Sequence, residues 1–316
     1  MNMLLKSIAV LAIVLSSLQV NAWNMAGHMV TGSFVYQELK DNKPMMAKLV
    51  AILEEHPEFD TRWAGPLSRA KSEDDRARIL LTLAARWPDD ARDDEDQHQP
   101  YWHFVSFPYP AKAGPVPSLK YDPVAHPENL VQAFRLAADR VAERVPVDAQ
   151  ERAIALCWLL HLGGDAHQPL HAVAVYGKRF PKGDKGGVKQ YVRAEENKAP
   201  VNLHTLWDGL VIGSQRTMDV RHVSAALRGN FPKSDFVELD NLDPVVWTRD
   251  ESYPLARSRA YLDGKLRTKL KDHQQSARVV PDGYLNDAKA IAQRRMALAS
   301  HRLAAVISQL VVVPAP

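Results

Sequence analysis

The sequence has a single cysteine, Cys157, so it cannot form an internal disulfide bond. This excludes the secreted folds that depend on a disulfide framework, and an exported chain of this kind must be stabilised by its core or by another kind of staple. The sequence also has little excess of charge of either sign, because 40 lysine and arginine residues stand against 37 acidic ones and the formal net charge is only +3. Such a small excess does not by itself indicate binding to nucleic acid.

The sequence also lacks a clear membrane anchor. Lys6 precedes an apolar run over residues 7–19, and Val20 and Ala22 then occupy positions typical of a signal-peptidase site. The apolar run is shorter than the about 20 residues that a membrane-spanning helix needs. We therefore predict a signal peptide over residues 1–22, cleavage after Ala22, and a periplasmic or secreted protein without a membrane anchor after processing.

Strand-like alternation is rare in the remaining chain, where apolar residues recur mainly at helical spacing. Helices are predicted over 26–39, from Ser72 to about Arg86, and over 127–145, 148–166 and 285–311. The best strand candidate is YWHFVSF at 101–107, and long loops are predicted over 93–125 and 176–200. No repeat or linker is visible, so we predict one mainly α-helical domain over residues 23–316 with long functional loops.

Histidine and aspartate recur together in four motifs: ARWPDDARD at 85–93, YWHF at 101–104, HLGGDAHQPLH at 161–171 and NLHTLWD at 202–208. Their candidate metal ligands are Asp89, His103, His161, Asp165, His171, His204 and Asp208. A spacing of four residues places His161 with Asp165, and His204 with Asp208, on one face of a helix. The repetition of this pair indicates a shared chemical purpose.

A single His–Asp pair at this spacing is more often a surface or supporting hydrogen bond than a metal site. The leucines around His161 predict that this histidine is buried, and a buried polar group needs a partner. Neutral imidazole and carboxylate oxygen are ligands that zinc prefers, so the set favours a zinc site. His167 lies in the same motif, and the sequence leaves open whether it faces the site or points away.

Trp23 becomes the first residue of the chain if cleavage follows Ala22. Its free α-amine, with a pKa of about 7.7–8.0, could then close a chelate on a metal together with its own carbonyl oxygen. His28 follows in the same segment and could join it. The alternative is that Trp23 only anchors the N-terminus in the core.

The order of the motifs WNMAGH, RWPDDAR, WHF, HLGGDAHQPLH and NLHTLWD resembles that of the S1/P1 nucleases. WTRDESY at 247–253 and HRLAAV at 301–306 extend the resemblance over nearly the whole mature chain. These are secreted, zinc-dependent nucleases that prefer single strands and also act as 3′-nucleotidases. The resemblance implies the mainly helical fold shared with bacterial zinc phospholipase C, and three zinc ions per chain. It also implies single-stranded DNA, RNA and 3′-nucleotides as substrates and 5′-phosphate products, and no stable protein partner is evident.

The resemblance also implies a role for each candidate residue. One zinc ion would be held by Asp89, His103, His161 and Asp165, a second by Trp23, His28 and the bridging Asp165, and a third by His171, His204 and Asp208. Asp89 would also orient the attacking water, and Arg92 matches an arginine that contacts the scissile phosphate. Phe104 matches an aromatic residue that stacks on a nucleobase, although core packing explains it equally well from the sequence.

Two departures from the family pattern bear on base preference. Ser106 stands where well-known relatives carry an aspartate that reads the base, and Val188 follows Gly186 and Gly187 where the family often has asparagine. Two other functions remain open. One is a zinc phospholipase C acting on phospholipid headgroups, although the short spacing between Trp23 and His28 favours the nuclease. The other is a non-catalytic periplasmic zinc-binding protein, which would not need Arg92.

Overall fold

The computed structural model describes residues 23–94, 97–110, 123–126 and 128–312. The α-helices in these ranges are α1 Met25–Leu39, α2 Lys43–Glu54, α3 Ala64–Leu67, α4 Glu73–Asp90, α5 Leu130–Val141, α6 Ala149–Asp165, α7 Leu203–Asp208, α8 Thr217–Asn230, α9 Tyr253–Leu255 and α10 Tyr284–Leu310. The strands are β1 Phe107–Pro110, β2 Val173–Tyr176, β3 Tyr191–Val192 and β4 Val201–Asn202. Short 3-10 and π-helical segments are Phe59–Trp63, Ala91–Asp93, Pro169–Ala172, Lys233–Asp235, Val246–Ser252, Ala256–Ala260, Leu262–Gly264 and Lys271–Ser276.

Several helices begin where the sequence supplies a capping side chain. Ser72 accepts a hydrogen bond from the backbone N–H of Asp75 at the start of α4, and the acidic first turn complements the helix dipole. At the start of α6, Asp148 and Glu151 form a reciprocal capping box. Asn129 caps α5 in the same way as Ser72 caps α4. These local signals set the starts of the helices that carry or support the candidate ligands.

The main core lies where α1, α4, α6 and α10 pack against one another. Gly32 of α1 permits close contact with α4, because a Cβ atom there would lie 2.4 Å from the carbonyl oxygen of Leu81. Buried leucines such as Leu80 and Leu160 fill this interface, and each contributes about 1.5–3 kcal/mol to the free energy of unfolding. The candidate ligands on α1, α4 and α6 are thereby held on three mutually packed helices.

A short parallel pair of strands brings two candidate ligands together. β1 and β2 pair from Phe107 opposite Val173 to Pro110 opposite Tyr176. His103 precedes β1 and His171 precedes β2, so this register places the two histidine-bearing segments side by side. The backbone of the second short pair, β3 and β4, leads directly into α7, which carries His204 and Asp208.

The prediction of a mainly α-helical fold is confirmed. The prediction of a strand over 101–107 is wrong, because residues 101–103 form a turn and β1 begins only at Phe107. The carbonyl of His103 accepts a hydrogen bond from the ring of His171, so this segment serves the cluster and only the residues after it pair with β2. α4 also continues past Arg86 to Asp90, and α5 ends at Val141.

The predicted signal peptide, residues 1–22, lies outside the described residues, as do residues 95–96 and 111–122 of the predicted loop 93–125. Within the part of the chain that the structure describes, no helix is both long enough and apolar enough to cross a membrane.

Candidate metal centre

The C-terminal end of α6 carries two fully buried candidate ligands. Nε2 of His161 lies 3.3 Å from Oδ2 of Asp165, as the four-residue spacing predicts. α1 approaches this turn because Gly164 has no side chain, and a Cβ there would lie 3.2 Å from Nδ1 of His28. The ring of His28 stacks on that of His161 at 3.6 Å between centroids, and its Nε2 lies 3.2 Å from Oδ1 of Asp165.

His103 and Asp89 lie against the same residues. Nδ1 of His103 is 3.0 Å from Nε2 of His161 and 3.2 Å from Oδ2 of Asp165. An oxygen of Asp89, at the end of α4, lies 3.9 Å from Nε2 of His161. Asp165 therefore faces His28 with one oxygen and His103 with the other, which is the arrangement expected of a bridging carboxylate.

A third group forms beside these two from His171, His204 and Asp208. Nε2 of His204 lies 3.7 Å from Oδ2 of Asp208, and Nε2 of His171 lies 4.0 Å from Oδ1. Gln168 donates its side-chain amide to Oδ1 of Asp208 at 2.6 Å. The side-chain oxygen Oε1 of Gln168 accepts a hydrogen bond from the backbone N–H of Leu170, which fixes the direction of the side-chain amide. Oδ2 of Asp208 is then left available to a ligand.

Backbone carbonyls select the tautomer of three of the histidines. Nδ1 of His161 lies 3.0 Å from the carbonyl oxygen of Ala85. Nδ1 of His171 lies 2.5 Å from the carbonyl oxygen of His103, and Nδ1 of His204 lies 2.8 Å from that of Gly186. A carbonyl can only accept, so each Nδ1 carries a proton, and in the neutral ring each Nε2 keeps its lone pair for the cluster. Hydrogen bonds of this kind orient the histidine ligands of metal sites.

His167 points away from the cluster, which answers the question that the sequence left open. Its Nδ1 donates to the carbonyl of Gly163 at 2.8 Å, and its Nε2 accepts from Arg302 at 3.0 Å. Arg302 is itself buried and paired with Glu251. Both ring nitrogens of His167 are therefore used in supporting the fold, and neither remains for a metal.

The three groups contain buried polar atoms that have no hydrogen-bond partner among the described residues. These atoms are Nδ1 and Nε2 of His28, Oδ2 of Asp89, Oδ1 of Asp165, Nε2 of His171 and Oδ2 of Asp208. A buried polar atom without a partner costs about 1–3 kcal/mol, and bound cations would satisfy one ring nitrogen of His28 together with the other atoms. Imidazole nitrogen and carboxylate oxygen form the donor set that suits zinc, so the residues present fit this metal.

Burial keeps most of the imidazoles neutral. It lowers the pKa of His103 to about 4, against the opposing effect of Asp165, and burial together with His171 lowers the pKa of His204 to about 3. Burial likewise lowers the pKa of His28 and of His171. A neutral imidazole is the form that binds a metal, so the site disfavours the protonated form that would compete with it.

Charge interactions outweigh burial at two other groups. Burial opposes the ionisation of Asp165, but His161, His171 and His28 hold its pKa well below the usual range. The pKa of His161 is raised despite burial, mainly by Asp165. At Asp208 burial dominates and, with the nearby carboxylates, raises the pKa well above the usual range. A cation beside Asp208 would reverse that effect.

The side chain of Trp23 anchors this segment in the core, close to the candidate ligands His28 and Asp165. Its side chain is fully buried and its indole Nε1 donates to the carbonyl of Gly164 at 2.9 Å, next to Asp165. The backbone N–H of Asn24 donates to the carbonyl of Asp208 at 3.2 Å, and the Asn24 side chain caps α1. The backbone at residue 23 is thus tied to the segments that carry ligands of two groups.

An open cavity of about 530 Å³ adjoins the histidines, and its lining includes Arg92, His103, Phe104, Ser106, His171 and His204. Arg92 donates to Oδ1 of Asp89. Phe104 is 39% exposed, so it is not a core residue. Tyr101, also in the lining, packs edge-to-face against Phe104 at 6.4 Å between ring centroids.

Two groups of supporting residues are visible only in the folded chain. Gln168 lies inside HLGGDAHQPLH, and Arg302 and Glu251 lie inside HRLAAV and WTRDESY. Their presence in those motifs is the signal that the sequence offers. Tyr101 stands two residues before His103, and only its exposure in the folded chain draws attention to it.

Comparison with known proteins is consistent with this geometry. A family model described as S1/P1 Nuclease matches residues 23–312. A search of curated proteins finds no match. Because the family match spans nearly the whole sequence and includes every candidate ligand, the chain belongs to the S1/P1 nuclease family and is a nuclease.

Proposed function

We propose that the protein is an exported, zinc-dependent phosphodiesterase that cleaves single-stranded DNA and RNA to 5′-phosphate products and also hydrolyses 3′-nucleotides. One observation carries this proposal. Three groups of buried histidine and aspartate residues, with several unpartnered atoms, converge beside an open cavity that also presents Arg92 and Phe104.

Three zinc ions would occupy these groups. In the structure the groups are His28 with Asp89 and His161, His103 with His161 and Asp165, and His171 with His204 and Asp208. The family resemblance supports the proposed ligand sets, which are Asp89, His103, His161 and Asp165; Trp23, His28 and the shared Asp165; and His171, His204 and Asp208. When bound, zinc supplies a water of lowered pKa and a positive charge that stabilises the phosphoryl oxygens. The carbonyl-bound Nδ1 atoms and the amide of Gln168 orient the protein's donors toward those positions.

Arg92 and Asp89 act on the phosphate as a pair. The guanidinium of Arg92 lines the cavity and can donate two parallel hydrogen bonds to a phosphoryl group. Its ion pair with Asp89 holds the guanidinium beside the buried cluster. Asp89 also orients the attacking water, and charge that develops in the transition state is stabilised by a preorganised cation.

Preference for single strands follows from the aromatic residues of the cavity. The exposed ring of Phe104 offers a face on which any base can stack. A base inside a duplex is already stacked and paired, so it must be extracted before it reaches this ring, at a cost of a few kcal/mol.

Two other functions are less well supported. A phospholipase C would act on a lipid headgroup, and the exposed rings of Tyr101 and Phe104 do not separate it from a nuclease, because aromatic faces also bind a choline cation. The short spacing between Trp23 and His28 favours the nuclease. A non-catalytic zinc-binding protein would not need an open cavity next to Arg92. The family match favours the nuclease over both.

The test combines metal analysis with hydrolysis assays on single-stranded DNA, RNA, 3′-AMP and phosphatidylcholine. We expect about three zinc ions per chain and hydrolysis of the first three substrates. Asp165→Asn should lose zinc and activity together. Hydrolysis of phosphatidylcholine alone, or zinc binding without any hydrolysis, would overturn the proposal.

A further inference from the structure

The loop between β2 and β3, residues 177–190, contributes part of the cavity wall and is held rigidly by Asp184. Oδ1 of Asp184 accepts from the backbone N–H of Val175 at 2.7 Å. Its Oδ2 accepts from the backbone of Gly187, from Gln190 and from the hydroxyl of Tyr261. A buried carboxylate with four donors fixes the path of the loop, and hence the positions of the side chains that it presents to the cavity.

Lys185 adopts an uncommon backbone conformation within this anchored loop. Its φ is +58°, a left-handed value that costs a non-glycine residue about 1 kcal/mol or more. At the next position, a Cβ atom on Gly186 would lie 2.3 Å from the carbonyl oxygen of Leu170, so glycine is required there. Glycine would also be the least strained residue at 185. A lysine at a strained position points to a use for its side chain.

The positive charges of Lys185 and of the nearby Lys182 are not balanced by an ion pair within the described residues. Lys182 and Lys185 are exposed, and their side chains form no hydrogen bond or ion pair with any residue that the structure describes. Both line the cavity, and its described lining includes no aspartate or glutamate. The carbonyl of Gly186, next to Lys185, accepts from Nδ1 of His204, so this part of the loop adjoins the candidate metal centre.

We propose that Lys182 and Lys185 bind backbone phosphates of the nucleic acid strand other than the phosphate that is cleaved. This inference rests on the proposed function. A 3′-nucleotide has a single phosphate, which the reaction itself occupies, so it gains nothing from a second phosphate site. Lysine binds phosphate as a point charge, and each such contact in a single strand releases counterions. Lys182 and Lys185 therefore favour the binding of polymeric substrates over that of 3′-nucleotides.

The test compares the double variant Lys182→Gln/Lys185→Gln with a control of equal charge, Lys178→Gln/Lys198→Gln. Lys178 and Lys198 are exposed and do not line the cavity. The value of kcat/KM is measured for a single-stranded decanucleotide and for 3′-AMP over a range of salt concentrations. We expect the cavity variant to lose roughly three- to tenfold on the oligonucleotide at low salt. The slope of log kcat/KM against log salt should flatten by about 0.7 for each phosphate that the variant no longer binds.

Hydrolysis of 3′-AMP and zinc content should stay unchanged in both double variants. The single variant Lys185→Gly separates binding from folding, because it should raise or preserve the melting temperature while weakening only oligonucleotide hydrolysis. Equal losses on both substrates, or an equal effect of the control variant, would overturn the inference. Wild-type protein that hydrolyses neither substrate would instead overturn the proposed function.

Discussion

Nε2 of His161 lies 3.0 Å from Nδ1 of His103, with both rings buried. His161 donates its Nδ1 proton to the carbonyl of Ala85, so its Nε2 lone pair faces His103 and also the carboxylate of Asp165. Acceptors gathered in this way are stabilised by a cation among them. Because the buried nitrogens of His161 and His103 lie so close together, we expect that metal binding contributes to the stability of the fold.

Removal of the metal should destabilise the fold. A ligand present at about 1,000 times its Kd contributes about 4 kcal/mol, and each kcal/mol corresponds to about 2–4 °C in a domain of this size. We expect EDTA to lower the melting temperature by about 10 °C and added zinc to restore it. EDTA already saturated with zinc is the control. An unchanged melting curve in protein verified to be zinc-free would contradict this.

An extension before Trp23 should impair the centre. Trp23 is buried and its indole is bonded to Gly164, so an added residue would have to enter a packed region and would also remove the free α-amine. We expect a protein with one extra N-terminal residue to bind less zinc and to lose most of its activity. Intact mass establishes the N-terminus and metal analysis gives the zinc content. Full activity with the extension retained would rule out a chelate by the N-terminus.

Arg92→Ala should lower kcat by more than it raises KM. Loss of a preorganised charge that acts on the transition state typically costs roughly a hundredfold to a thousandfold in kcat. Zinc content should be unchanged. Arg86→Ala is a matched control, because Arg86 pairs with Asp90 on the same helix and does not line the cavity. An effect on KM alone would mean that Arg92 binds only the ground state.

Ser106 should leave the enzyme with weak discrimination among bases. It lines the cavity with Phe104, and stacking alone tolerates every base. A neutral hydroxyl bond contributes about 0.5–1.5 kcal/mol, whereas a charged carboxylate contributes about 1.5–3. Ser106→Asp should therefore widen the spread of kcat/KM among the four 3′-ribonucleotides by about one order of magnitude, toward bases with amino donors. A wild-type preference of a hundredfold for one base would show that another residue reads it.

The sequence by itself determined the parts of this protein that depend on local periodicity and on motifs. The four-residue spacing of His161 and Asp165 places both on one helix face in any α-helix, and they meet at 3.3 Å in the folded chain. Ser72 and Asp148 marked the starts of α4 and α6 because capping uses side chains a few residues away. The motif order was sufficient to identify the family.

Tertiary structure alone decided the features that join distant segments. The tautomers of His161 and His204 depend on the carbonyls of Ala85 and Gly186, and no spacing in the sequence indicates those partners. His167 resembles a ligand in its motif, yet Arg302, 135 residues away, occupies its free nitrogen. The exposure of the Phe104 ring and the position of the Lys185 side chain at the cavity likewise follow from how loops pack around that cavity. Such contacts are decided by packing across the whole chain, which local propensity does not encode.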